Sequence, residues 1–180
     1  MIYLNTEKNV LKTPLKLAMA AVFAALVCVA TLAFVISIPA TSGYFNLGET
    51  VIYTAALLFG PLVGGIAGGA GAAIADILVA AHFAPGTLIV KGLEGAIVGL
   101  LHKKIQKRTR RLSLSATASV IIGGLEMVAG YFIYEQLVLS YPLANALVEV
   151  PFNIVQMLVG LVVAVPIMHI ILRAFPQLKS

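Results

Sequence analysis

The chain has 180 residues, of which 61% are hydrophobic and 11% charged, with a mean hydropathy of +1.04 and a net charge of +5. A soluble domain carries about 25% charged residues, so these values exclude a soluble globular protein and imply one membrane domain spanning residues 1–180. The single cysteine, Cys28, lies in an apolar run, which excludes an internal disulfide and a CxxC metal site. The first apolar run, Leu15–Ile38, follows a basic stretch as in a signal peptide. At about 24 residues it is too long for an h-region and long enough to span, so it is expected to be a retained first helix.

In chain order the spacing predicts six helices. The first, Leu15–Ile38, has Pro14 at its start and Pro39 at its end, and the loop PATSG follows. The others are Phe45–Phe59, ended by Gly60-Pro61, then Leu62–Ala81, Gly86–Leu101, Leu114–Leu139 and Ala144–Ala174. The second and fourth are short for a span of about 20 residues. The expected fold is an all-α bundle of six transmembrane helices.

Basic residues orient it. Lys8, Lys12 and Lys16 stand at the first helix, and Lys103, Lys104, Lys107, Arg108, Arg110 and Arg111 lie between the fourth and fifth. Arg173 and Lys179 end the chain. With six helices all eleven fall on one side, which predicts cytoplasmic termini and a multi-pass protein of a prokaryotic plasma membrane. The run HKKIQKRTRR then reads as a cytoplasmic loop beside anionic lipid, not a nucleic-acid patch. Lys91 is the one basic residue that topology leaves unexplained.

In GPLVGGIAGGAGAAIAD, Gly60, Gly64 and Gly68 recur every fourth residue, as do Gly65 and Gly69. Small residues at this spacing let membrane helices approach closely. A phosphate-binding glycine loop would need a preceding strand. Asp76, at the end of the same segment, is expected to cap or pair with a neighbour. AMAAVFAA sets Ala20 with Ala24 and Ala21 with Ala25, a smooth face for another helix, in this chain or in a partner.

Apart from Glu7, the acids fall within or at the ends of predicted helices, where polar groups face a cavity or each other. Lys91 and Glu94, three apart, share a helical face. They either neutralise each other or line a pocket. A pair placed only to cancel itself adds nothing over two apolar residues, which favours the pocket. Glu149, Asn153 and Gln156 form one polar stripe, beside Pro151, and Tyr131 and Glu135 are four apart. Glu126, Tyr134 and Asn145 add further polar positions. These faces either bond one another or surround a ligand. There is no GxSxG, no HExxH and no His pair at ligand spacing, because His82, His102 and His169 lie in different segments. No catalytic residue, metal or cofactor is expected.

The order YFNLGETVIY, LLFGPLVGGIAGGAGAAIAD, APGTLIVKGLEGAIVG, with the later GGLEMVAGYFIYE and EVPFNIVQMLVG, resembles the S-components of energy-coupling factor transporters. The resemblance covers nearly the whole chain. It implies a six-helix, non-catalytic subunit that captures a vitamin from outside and docks on a membrane coupling protein carried by two cytoplasmic ATPases. It implies a pocket of the first loop and helices four to six, here Tyr44, Asn46, Glu49, His82, Lys91, Glu94, Glu126, Tyr131, Glu135, Glu149 and Asn153. It also implies a docking face at Ala20, Ala21, Ala24 and Ala25. The lack of tryptophan speaks against thiamine, and the lack of an N-terminal metal-ligating His against nickel or cobalt. The nearest members are those for pyridoxine or hydroxymethylpyrimidine, small polar rings suited to tyrosine stacking, with riboflavin as the alternative. From another class, a stand-alone ion- or proton-coupled carrier using Asp76, Glu94 and Glu126 is the competing reading.

Overall fold

The computed structural model describes residues 2–178, with side chains described from residue 13 onward except Gln177. The helices are α1 (Ile2–Ala33), α2 (Gly48–Phe59), α3 (Pro61–Val79), α4 (Ala84–Thr109), α5 (Leu112–Leu137) and α6 (Leu143–Ala174). A hairpin of β1 (Ile36–Ile38) and β2 (Gly43–Phe45) joins α1 to α2, and a 3-10 turn, Pro176–Leu178, follows α6. The architecture is the expected all-α one. Among the described residues, five helices are long and apolar enough to cross a membrane: α1 from Thr13, α3, α4, α5 and α6.

The remaining helix, α2, has 12 residues, about 18 Å of rise, less than a hydrocarbon core. Its residues Ile52–Leu57 are all buried, as a helix apolar on every side must be. It packs on α1, α3, α4 and α6 and so forms the centre of the bundle, where Ile52, Tyr53, Ala55, Ala56 and Leu57 meet Val63, Ala67, Val98 and Val120.

Two glycine positions make this arrangement possible. Gly60 turns α2 into α3 with φ +88°, a left-handed conformation that favours glycine. Gly64 sits where α2, α3 and α4 converge. A Cβ there would lie 2.6 Å from the Ala56 Cβ and 2.7 Å from the Gly95 carbonyl oxygen. The small-residue periodicity read from the sequence is therefore a packing seam.

The structure corrects several boundaries. The first helix ends at Ala33 rather than Ile38, and part of the expected PATSG loop belongs to a hairpin pairing Ile36 with Phe45 and Ile38 with Gly43. Phe34, Val35 and Ile36 are as apolar as a helix end, but β-branched and aromatic residues before Pro39 favour extended backbone. Helix α4 runs eight residues beyond the expected Leu101, to Thr109, because Lys, Gln and Arg are good helix formers once the chain leaves hydrocarbon. The orientation reading rests partly on Lys8, Lys12 and Lys179, whose side chains lie outside the described residues.

The seam yields a paired test. Gly64→Ala is expected to cost about 1–3 kcal/mol by overpacking. Gly92→Ala, whose Cβ would meet nothing closer than 3.6 Å, should stay within about 0.5 kcal/mol of the parent. Thermal unfolding in detergent compares them, and equal melting temperatures would contradict the packing.

Candidate functional site

Beside the hairpin, the helices enclose a small polar cavity of about 40 Å³, lined by Gly43, Tyr44, Asn46, Asp76, Phe83, Thr87, Lys91, Tyr131, Glu135, Glu149, Asn153 and Gln156. Each main helix except α1 and α2 supplies at least one of these side chains.

At its inner side lies Lys91, 3% exposed. Its ammonium pairs with Glu49 of α2 and lies 3.3 Å from Glu94, one turn on in α4. The Tyr53 hydroxyl donates to Glu94 at 2.6 Å, and the Gln156 amide donates to Glu49 at 2.8 Å. Lys91 Nζ also stands 5.3 Å from the Tyr131 ring centroid, within cation–π range. Lys91 thus does not simply cancel Glu94. The sequence left Glu49 unassigned as a partner, because helix spacing reveals neighbours only within one helix.

A second set centres on Asp76 at the end of α3, which accepts hydroxyls from Tyr44 and Thr87. The Thr87 hydroxyl lies 2.9 Å from that of Tyr131. Burial, and then the neighbouring Asp76 carboxylate, raise the Tyr44 phenol well above its ordinary range, so it remains a donor.

A third set holds the hairpin down. Thr41 donates to Glu149, the Tyr141 hydroxyl donates to the Thr41 carbonyl at 2.8 Å, and the Asn145 amide donates to the Ala40 carbonyl at 2.8 Å. The Asn46 backbone N–H donates to Gln156 at 3.0 Å. Phe83 closes one wall, its ring centroid 6.3 Å from Tyr131 and 6.4 Å from Tyr141.

Of the residues expected at the site, Tyr44, Asn46, Lys91, Tyr131, Glu135, Glu149 and Asn153 line the cavity. Glu49 and Glu94 stand behind Lys91. Two expected residues are not brought in. His82 has an exposed side chain whose ring lies 4.6 Å from that of Phe83, and its backbone carbonyl accepts from Tyr134. Glu126 is half-buried and absent from the lining, because its place on α5 is offset from the Tyr131–Glu135 face. Asp76, Phe83, Thr87 and Gln156 were not assigned to the site from sequence. Thr87 had a signal, lying four residues before Lys91 on the same helical face. Among the described residues, no three His, Cys, Asp or Glu side chains are grouped to hold a metal ion.

The four alanines of α1 do not form one surface. Ala20 and Ala24 are buried in the bundle, while Ala21 and Ala25 are exposed. Positions four apart share a face, but adjacent ones diverge by about 100°, so the two alanine pairs face different ways.

The fold matches a solved structure, that of the S component of a bacterial ECF transporter. The TM-score is 0.66 and the identity 21%, covering 93% of this chain and 99% of that one. Residues 12–173 match the family model for the ECF-type riboflavin transporter S component, and the chain belongs to that family of multi-pass membrane transport subunits, which do not themselves catalyse. An uncharacterized protein of Pyrococcus woesei is 39% identical over 137 residues, covering 76% of this chain and 88% of its own. The thiamine precursor transporter HmpT of Lactococcus lactis subsp. cremoris (strain MG1363) is 33% identical over 151 residues, covering 83% of this chain and 82% of its own.

The ion cluster sets a stability expectation. Lys91→Met leaves Glu49 and Glu94 facing each other without a cation and should cost about 3–5 kcal/mol. The double variant Lys91→Met/Glu49→Gln should recover part of that loss. Melting temperature and membrane yield measure both, and a fully stable single variant would contradict the cluster.

Proposed function

We propose that this chain is the substrate-capturing subunit of an energy-coupling factor transporter, and that its substrate is a one-ring water-soluble vitamin or precursor of the hydroxymethylpyrimidine or pyridoxine kind. The observation that carries the reading is the size and chemistry of the cavity. Its free space is about 40 Å³, room for roughly three waters, and its walls are hydrogen-bonding groups beside the rings of Tyr44, Phe83 and Tyr131. A ligand enters by separating short contacts such as Tyr44–Asp76 and Thr41–Glu149. A single ring exchanges these bonds for its own, whereas a tricyclic flavin must displace far more of the wall. The thiamine precursor transporter among its relatives supports the same choice over riboflavin.

In this reading the hairpin end faces outside and the basic segment around Lys103–Arg111 faces the cytoplasm. Tyr131 and Phe83 hold the ring, Lys91, Asn153 and Tyr44 meet its polar substituents, and Glu49 and Glu94 hold Lys91 in place. Transport requires a coupling protein and two ATPases. Docking falls to the exposed side of α1, at Ala21 and Ala25, and Ala20 and Ala24 act as internal packing.

Calorimetric titration of the purified protein tests the substrate. Aminohydroxymethylpyrimidine or pyridoxine is expected to bind at least about tenfold more tightly than riboflavin, a difference of about 1.4 kcal/mol, and the reverse order would overturn the assignment. In sealed vesicles the protein alone should not accumulate ligand; accumulation without the ATPases would indicate a stand-alone carrier. Ala21→Trp should keep binding and lose transport with the full module, because a bulky side chain holds helices apart. Normal transport by that variant would move the docking face elsewhere.

A further inference from the structure

The carboxylates around the cavity differ in one respect, which is whether the protein supplies them with a donor. Glu49 and Glu94 share Lys91. Asp76 has the hydroxyls of Tyr44 and Thr87, and Glu149 has that of Thr41. Glu135 lines the same cavity and is 1% exposed. Its Oε2 is buried without a hydrogen bond, as are those of Glu49 and Glu94, but those two carboxylates have Lys91, Gln156 or Tyr53 as partners, and among the described residues Glu135 has no ion pair to take their place. Among the described residues, the one cation lining the cavity, Lys91, is already committed to two carboxylates. A buried carboxylate without a donor is costly, more so away from bulk water. Glu135 follows Tyr131 by one turn of α5, so the carboxylate and the ring that walls the cavity share a helical face.

We propose that Glu135 is the specificity-determining residue of this site. Its carboxylate receives an amine of the ligand, with a protonated ring nitrogen next to that amine as a second donor where the ring carries one. Two parallel N–H donors on a planar ring match the two oxygens of a carboxylate in the manner of a bidentate pair. Glu149 of α6 lines the same cavity. The substrate class is thereby narrowed to heteroaromatic rings bearing an exocyclic amine, in preference to rings of the same size bearing only hydroxyl or hydroxymethyl groups. The inference rests on the one-ring reading above.

The experiment titrates the intact protein in detergent with aminohydroxymethylpyrimidine, with the analogue in which hydrogen replaces the exocyclic amine, and with riboflavin. The wild-type chain is expected to bind the amine at least about 30-fold more tightly than its deamino analogue, the scale of a charged hydrogen bond. Glu135→Gln should lower amine binding by a similar factor, change deamino binding by less than about threefold, and leave the melting temperature unchanged or higher, since no protein donor loses its acceptor. Wild-type discrimination needs no variant, so it decides the matter even if Glu135→Gln folds poorly. Equal wild-type binding of the two pyrimidines overturns the role of Glu135 and leaves the one-ring reading standing. Equal losses for both probes in Glu135→Gln also overturn it. Binding of riboflavin and of neither pyrimidine overturns the one-ring reading and this inference with it.

Discussion

A lysine ammonium held at membrane depth between two carboxylates constrains the rest of this structure. Inserting such a charge costs about 3 kcal/mol even at a helix centre, so Lys91 is tolerated only if anionic oxygens reach it. Glu94 does so along α4, but Glu49 must come from α2. That requires α2, α3 and α4 to lie unusually close, and the glycines supply the closeness. Gly64 lets α3 touch both Ala56 of α2 and Gly95 of α4, and Gly68 lies against Ile52 and the backbone of Lys91 itself. The glycine seam and the ion cluster therefore depend on each other. Without the seam Glu49 could not reach Lys91, and without the carboxylates the helix carrying Lys91 could not remain at that depth.

The same logic explains the hairpin. Short strands of three residues each have little stability of their own. Here they are fixed by side chains of the bundle, with Asn145 and Tyr141 bonding the Ala40 and Thr41 carbonyls. Thr41 in turn bonds Glu149, and Tyr44 bonds Asp76. Two of these bonds end on carboxylates that line the cavity. Hairpin position and cavity charge are thus coupled, because a ligand that takes over either carboxylate also releases a tether of the hairpin.

Much of this was legible in the sequence, and the limits have physical causes. Six helices and their order follow from apolar runs and breakers. The polar stripe Glu149, Asn153, Gln156 and the pair Tyr131, Glu135 follow from helical periodicity, and the structure brings all five to one cavity. What periodicity could not give was any relation between helices. Glu49 as the partner of Lys91, Asp76 as acceptor for Tyr44, and the split of the α1 alanines between inside and outside all depend on packing. Apolarity also failed where two states share it, so Phe34–Ile38 read as helix, whereas the helix stops at Ala33 and Ile36–Ile38 form a strand. The basic run after His102 read as loop and is helical as far as Thr109.

The cavity also has a closed inner side. Below Glu94 and Tyr53, the bundle centre is filled by Val98, Ala116, Val120, Ala164 and Met168, all buried. The next buried polar pair, His102 with Ser115 at 3.1 Å, lies eight residues further along α4, about 12 Å on. Ser119, also buried in that layer, turns its hydroxyl back onto the Ala116 carbonyl of its own helix at 2.9 Å. A polar ligand passing straight through would have to shed its hydrogen bonds inside a packed apolar core, at a cost of several kcal/mol per group, and would have to open a layer with no space for it. A relay from Asp76 through Glu94 towards the basic end meets the same barrier.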